Sequence, residues 1–260
     1  MTIGVIDQRG LGRWMSATGH SRLTHALSDI GRPVATTRRI ALFSTSNVAG
    51  TSTLAHLVAA TLARHRAGRV LLTASTLTSD AIKAYARPSE DELNPLPVED
   101  HDRLTKLGHI WLGTPEVNDR FFDVHIVDGG TLVNNVDIPA DVRHAHALCM
   151  VAPFDRSRAE PAAALALALA ALPQRRSVTV AFTDTDQNRS PWPRLAAHRL
   201  AVPAAVIEHD PALPQGRTPR ATTARVATVL SAHLLTESLT RDLDDAVLDG
   251  IAPAPFGGHR

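Results

Sequence analysis

Seven short apolar runs, separated by longer stretches of helical periodicity, constrain this chain more than any other feature. The runs are RIALFST (39–45), RVLLTA (69–74), HIWLG (109–113), FDVHIVD (122–128), HALCMVA (146–152), SVTVAFT (177–183) and AAVIE (204–208). Runs this continuously apolar belong to strands covered on both faces, and strands that alternate with helices build a parallel sheet. Helical spacing marks residues 51–65, a short stretch at 79–85, residues 158–172 with Pro161 near the first turn, residues 193–199, and a final helix from 222 through 239 or beyond. The expected fold class is α/β: a doubly wound, mainly parallel sheet of seven or eight strands with helices on both faces.

The flanks differ from this core. Residues 1–36 are polar, with weak helical spacing through Trp14, Leu23, Ala26, Leu27 and Ile30, and read as an N-terminal arm ahead of a main domain at 37–240. Residues 241–260 read as an acidic helix end and a flexible tail: Leu239, Leu243, Val247 and Ile251 recur every four positions beside Asp242, Asp244, Asp245 and Asp249, and GIAPAPFGGHR follows. The acidic stretch 88–102 has too many prolines and charges for either element and is expected to be a surface insertion or partner contact. Composition narrows the function classes. With 27 basic and 26 acidic side chains the chain lacks the field needed to hold nucleic acid by charge alone. Cys149 is the single cysteine, so no intrachain disulfide forms. The start lacks a secretory pattern, and the apolar run 162–172 is about half the roughly 20 residues that span a bilayer. A cytoplasmic location is expected. The acidic terminal helix would be repelled by anionic lipid and is expected to pack on the core or on a partner.

One motif carries chemistry. After the first run comes Ser44-Thr45-Ser46-Asn47-Val48-Ala49-Gly50-Thr51-Ser52-Thr53, leading into a helix with Leu54, Leu57, Val58 and Leu62 on its apolar face. A strand, a small-residue turn and a helix N-terminus together receive phosphates, because backbone N–H groups and the helix dipole point at the anion. The same arrangement also occurs as plain α/β architecture. His144 and His146 lie on one side of an extended segment near Cys149, but no third ligand at metal spacing accompanies them, and a solvated strand entry is the expected reading. Neither a Gly-x-Ser-x-Gly elbow nor a Cys-x-x-Cys pair is present.

Taken together, the stretch RRIALFSTSNVAGTSTLAHLVAATLARHRAGRVLLTAS resembles the opening of ParA/MinD-type P-loop ATPases. In that family the first strand leads into a Lys-Gly-Gly-x-Gly-Lys-Thr-Thr loop and the second ends in Asp-x-Asp. FFDVHIVDGG is similar to the later strand ending in an Asp, HALCMVAPFDRSRAEPAAALALAL to the next strand and helix, and VPAAVIEHDPAL to the late strand whose turn lies near the base. The order holds from about 38 to 239. The arm and DPALPQG most resemble actinobacterial MinD-like ATPases associated with type VII secretion.

Placed on that motif, the site is depleted. The family's signature lysine falls on Ser46, its two glycines on Asn47 and Val48, the general P-loop lysine on Thr51, and the Asp-x-Asp on Ala74-Ser75-Thr76. Lys83 and Lys106 lie far away in sequence, and Arg38, Arg39, Arg64 and Arg66 sit at the far ends of the first strand and helix. Gly50, Thr51, Ser52 and Thr53 remain as a vestigial phosphate loop with Ser46 and Asn47. Ser52 and Asp128 are the positions that would hold Mg²⁺ if ATP bound. Each preorganised donor is typically worth about 10²–10³ in rate, so the resemblance implies turnover close to undetectable. Val48, β-branched where the backbone must approach phosphate and poorly tolerant of positive φ, is expected to impair binding. ATP and Mg²⁺ are therefore not expected as regular cofactors, and no catalytic residue is assigned. The implied function is a degenerate pseudo-ATPase: a scaffold, adaptor or regulatory subunit of a secretion or positioning system. Its expected partners are proteins, an active ParA/MinD-like paralogue or a machine component, in homo- or heterodimers. The alternatives are a slow or non-hydrolysing ATP-binding switch and a DNA-associated partition component.

Overall fold

The computed structural model describes residues 20–74, 77, 88–132, 143–172, 177–188 and 190–240. Eight strands form one sheet in the order β3-β4-β2-β5-β1-β6-β7-β8. They are β1 (Arg38–Ser44), β2 (Val70–Ala74), β3 (Leu104–Leu107), β4 (Ile110–Gly113), β5 (Val124–Thr131), β6 (Ala147–Pro153), β7 (Ser177–Thr183) and β8 (Ala204–Ile207). Every pairing is parallel except β3 on β4, an antiparallel edge. The seven runs read from sequence all become strands. The eighth, β3, has only four residues, and its Lys106 and Leu107 turn outward, so its apolar signal is too short to stand out.

Helices α1 (His20–Ile30), α2 (Thr51–His65) and α5 (Ala221–Leu239) cover one face, and α3 (Arg156–Ala170) and α4 (Trp192–Arg199) the other. The first layer meets the sheet through Leu54, Val58, Leu62, Leu230 and Leu234 against Ile40, Leu42, Cys149 and Val151. Ala55, Ala59 and Ala63 keep α2 close to the strands. Ala26 and Ile30 bring α1 into this same core, where it packs along α5. On the other face Ala159, Ala162, Ala166 and Leu169 of α3 pack with Phe43, Met150, Val180 and Phe182.

Two readings change. α3 begins at Arg156, two residues earlier than the spacing indicated, because the Asp155 carboxylate accepts the Arg158 N–H at 3.0 Å and caps the helix. Pro161 therefore lies in the second turn. The acidic stretch, expected to belong to neither element, forms a helical turn, Glu90–Leu93, with a capping box at Ser89, and a 3₁₀ turn, Val98–Arg103. It closes a third core of Leu71, Leu96, Leu104, Trp111, Val117 and Phe122, and buried Asp100 accepts the Asn118 N–H at 3.3 Å. Leu167 on the outer side of α3 and Leu172 just past its end are 37% and 42% exposed. The stretch 79–85, the arm residues 1–19 and the end 241–260 lie outside the described residues.

Candidate functional site

The chain reverses its winding direction at β1: β2 to β5 lie on one side and β6 to β8 on the other. Ligands of open α/β sheets bind at such a switch point, beyond the carboxyl ends of the strands. The loop 45–50 is the segment that leaves β1 there. Its path is set by short polar contacts. The Ser46 N–H donates to Ser44 Oγ at 3.0 Å, the Ala49 N–H to the Ser46 carbonyl at 3.2 Å, and Gly50 at φ +73° turns the chain into α2. A glycine is required at that angle, since L side chains rarely adopt it, and a Cβ there would lie 3.1 Å from Thr185 Cγ2.

Two threonines from the end of β7 tie the loop down. Thr183 Oγ1 donates to the Ala49 carbonyl, and Thr185 Oγ1 donates to the Val48 carbonyl at 3.0 Å. The concern raised by Val48 is answered by geometry: among the described residues positive φ outside glycine occurs only at Gln187, so neither Asn47 nor Val48 is strained. Both side chains are exposed. The loop keeps its shape with a single left-handed residue.

The structure brings the remaining sequence candidates to this corner. Thr51 opens α2 and is 6% exposed, whereas Ser52 and Thr53 are exposed. The α2 N-terminus has no side-chain cap, so its first-turn N–H groups lack an intrahelical acceptor. Asp128 is paired in register with Leu42 of β1 on one side and Ala74 of β2 on the other. It is 5% exposed, and its Oδ1 accepts the Gly130 N–H at 3.0 Å. Ala74, beside it, brings no carboxylate, and residues 75 and 76 lie outside the described residues. The arginines considered as lysine substitutes are held elsewhere. Arg39 pairs with Asp119, and Arg66 donates to the Ile30 and Arg32 carbonyls and faces Asp123, at the amino end of the sheet.

A cavity of about 530 Å³ opens among Phe154, Asp184, Gln187, Asn188, Arg194, Glu208, His209 and Arg220. It lies beyond β6, β7 and β8. Arg194 pairs with Glu208, and the Asp184 carboxylate accepts the Asn188 N–H at 2.7 Å. Asp210 fixes the floor by accepting the Ala212 and Arg220 N–H groups at 3.0 and 2.7 Å. Burial alone would raise its pKa. The hydrogen bonds from Arg220, Ala212 and Thr223 outweigh that and hold it below the usual carboxylate value. None of the cavity residues was assigned to the site from sequence; the signal was the polar DTDQN and EHDP that follow two buried strands.

Two other constellations are structural. Thr73 Oγ1, His125 Nε2 and Nδ1, and Asp119 Oδ2 form a row at 2.7 and 2.8 Å that has the order of a hydrolytic triad. Thr73 is 3% exposed within the sheet and closed to a substrate. His146 Nδ1 accepts the Arg39 N–H at 3.1 Å, and no three potential metal ligands cluster among the described residues.

Tested against ATP and Mg²⁺, the donor set fits poorly. The loop and the start of α2 offer backbone donors and two exposed hydroxyls, with Asp128 of β5 nearby in the sheet, but residues 45–53 carry no cationic side chain. Comparison with solved structures identifies the architecture. A ParA family ATPase from Chlorobium tepidum is 17% identical over 76% of this chain and 99% of its own, with a TM-score of 0.50. A putative plasmid partition protein from Borrelia burgdorferi, bound to AMPPNP, is 12% identical over 77% of this chain and 99% of its own, with a TM-score of 0.52. A Cyanothece McdA variant in complex with ATP is 13% identical over 80% of this chain and 98% of its own, with a TM-score of 0.50. No protein-family model and no curated protein matches the sequence.

Proposed function

With a ParA/MinD-like P-loop fold as the premise, we propose that this chain is a pseudo-ATPase, retaining the shape of the family while acting as a scaffold, adaptor or regulatory subunit. One observation carries the reading. The strand, loop and helix that receive phosphate are intact and tied down by Thr183 and Thr185, yet Ser46 and Thr51 stand where both lysines belong. Phosphoryl transfer depends on positioning and on cations that neutralise developing charge. Two cations and the Asp-x-Asp acids that would fall on residues 74–76 are missing together. Even with strong non-additivity, such losses remove most of the catalysis. The partner is a protein, an active relative or a component of a secretion or positioning system, and the chain works in the cytoplasm as part of a homo- or heterodimer. No described helix is long and apolar enough to cross a membrane.

Calorimetric titration with ATP and ADP, with and without Mg²⁺, to millimolar nucleotide tests this, with hydrolysis followed on the same sample. The proposal predicts no turnover. A second reading, a slow or non-hydrolysing nucleotide switch, is favoured by the α2 N-terminus, which follows the loop with no side-chain cap and leaves its first-turn N–H groups open to an anion. Mg²⁺-dependent binding without hydrolysis would select it. A salt-sensitive shift of plasmid DNA would instead support a partition role, which the charge balance disfavours.

A further inference from the structure

Helix α1 is tied to the domain at two places only, one apolar and one polar. Among its described side chains Ala26 and Ile30 are buried, Leu23 is half-buried, and Leu27 is 36% exposed. Residues four apart share one face of a helix, and this face packs along α5. A helix of 11 residues is marginal in water by itself, so α1 is helical because it is docked.

The polar tie is Arg66, just after α2, whose side chain is 3% exposed. Its Nη1 donates to the carbonyls of Ile30 and Arg32 at 2.5 and 2.9 Å, where α1 ends and its last carbonyls lack intrahelical donors. The guanidinium charge also suits the negative end of the helix. On the other side Nη2 lies 3.5 Å from Asp123 Oδ2. Gly68 makes room for that carboxylate, since a Cβ there would lie 1.4 Å from the same oxygen. Nε finds no partner among the described residues.

This latch releases without stranding a charge. When α1 leaves, Arg66 keeps Asp123, which is 40% exposed, and both the guanidinium and the freed carbonyls return to water. The segment GRPVATT (31–37) joins α1 to β1, and its far end is pinned where Thr37 Oγ1 donates to the Asp119 carbonyl at 3.1 Å. α1 can therefore swing away while β1 stays in the sheet.

α5 shows what α1 covers. Its buried positions run from Leu230 through Ala227 and Leu235 to Ala232, an arc of about 200° at about 100° per residue. Lying on a sheet accounts for a stripe of little over 100°. α1 and α2 fill the remainder. An apolar helix face with a lightly tied helical occupant has the form of a helix-in-groove site.

We propose that the face of α5 beneath α1 is a docking site for an amphipathic helix of a protein partner, and that α1 is its resident, displaceable occupant. The partner helix presents a small and a branched apolar residue four apart, as Ala26 and Ile30 do, and ends with free carbonyls for Arg66.

Hydrogen exchange on the full chain tests the release. Amides 24–31 should exchange at least about 100-fold faster than amides 227–235, and Arg66→Met should speed the first set about tenfold further while leaving the second unchanged. A labelled synthetic peptide of residues 20–34 tests the site. It should bind the full chain carrying Ala26→Asp, in which the resident helix is expelled, at least about tenfold more tightly than the parent, and adding Arg66→Met should weaken that binding about tenfold. Exchange of α1 at the rate of α5 would overturn the proposal, because α1 would then open only with the whole fold. So would equal peptide binding by the parent and the Ala26→Asp chain, or loss of the folded state in that variant, which would make α1 an integral part of the core.

Discussion

Replacing Asp119 by Asn tests the energetics of the charged strut beneath the sheet. The Asp119 carboxylate accepts from Arg39 through both Nε and Nη2, the latter at 3.0 Å, and from His125 Nδ1 at 2.8 Å. Asn keeps the shape but removes the charge and turns one acceptor into a donor facing Arg39 or His125. Net contributions of hydrogen bonds to charged groups run about 1.5–3 kcal/mol each, and removing one partner of a buried pair costs about 3–5 kcal/mol. The Arg39 side chain is 37% exposed and regains water, which places the expected loss at about 2–3 kcal/mol at pH 7. The pH dependence follows from the carboxyl. Burial would raise its pKa, but the hydrogen bonds and charges of His125 and Arg39 outweigh burial and hold it far below the usual range. A group depressed in the folded state stabilises above its unfolded value, about 3.9, and that contribution is lost as pH falls through the folded value. Urea unfolding of both proteins should therefore give a gap that is constant between about pH 5 and 7 and closes below about pH 4. A variant within about 0.5 kcal/mol of the parent at pH 7, or a gap that widens towards acid, would refute this reasoning.

Gly50→Ala forces a side chain into φ +73° and against Thr185; a loss of about 1–2 kcal/mol is expected by urea unfolding, and unchanged stability would mean the loop relaxes freely. Cys149 is fully buried and its thiol is pushed up to about 12, so its reaction with a disulfide reagent should run at the rate of unfolding; prompt labelling of the native protein would contradict that burial. Ser46→Lys with Thr51→Lys restores both loop cations but not the acids of the second strand, and no ATP turnover is expected; appreciable hydrolysis by this double variant would sink the pseudo-ATPase account.

The sequence by itself determined seven of the eight strands, their alternation with helices, and the loop. Val, Ile, Leu and Ala in unbroken runs such as IALF and VLL can be buried only between two layers, and Gly50 after a buried strand marks the turn into α2. The absence of any lysine from residues 44–53 is equally a matter of sequence. The tertiary structure decided what depends on residues distant along the chain. Thr183 and Thr185, more than 130 residues from the loop, hold its carbonyls, and no local pattern announces that contact. The cavity needs the ends of three strands side by side. The acidic stretch folds because Leu96 finds Trp111 and Phe122, an apolar contact that its own composition conceals. The Ala-Leu helix reads as apolar on every side, but which of its sides meets β6 and β7, and which is left open, was settled only by packing. Periodicity is a local property fixed by backbone geometry, whereas pairing between faces is set by where the strands lie in the sheet.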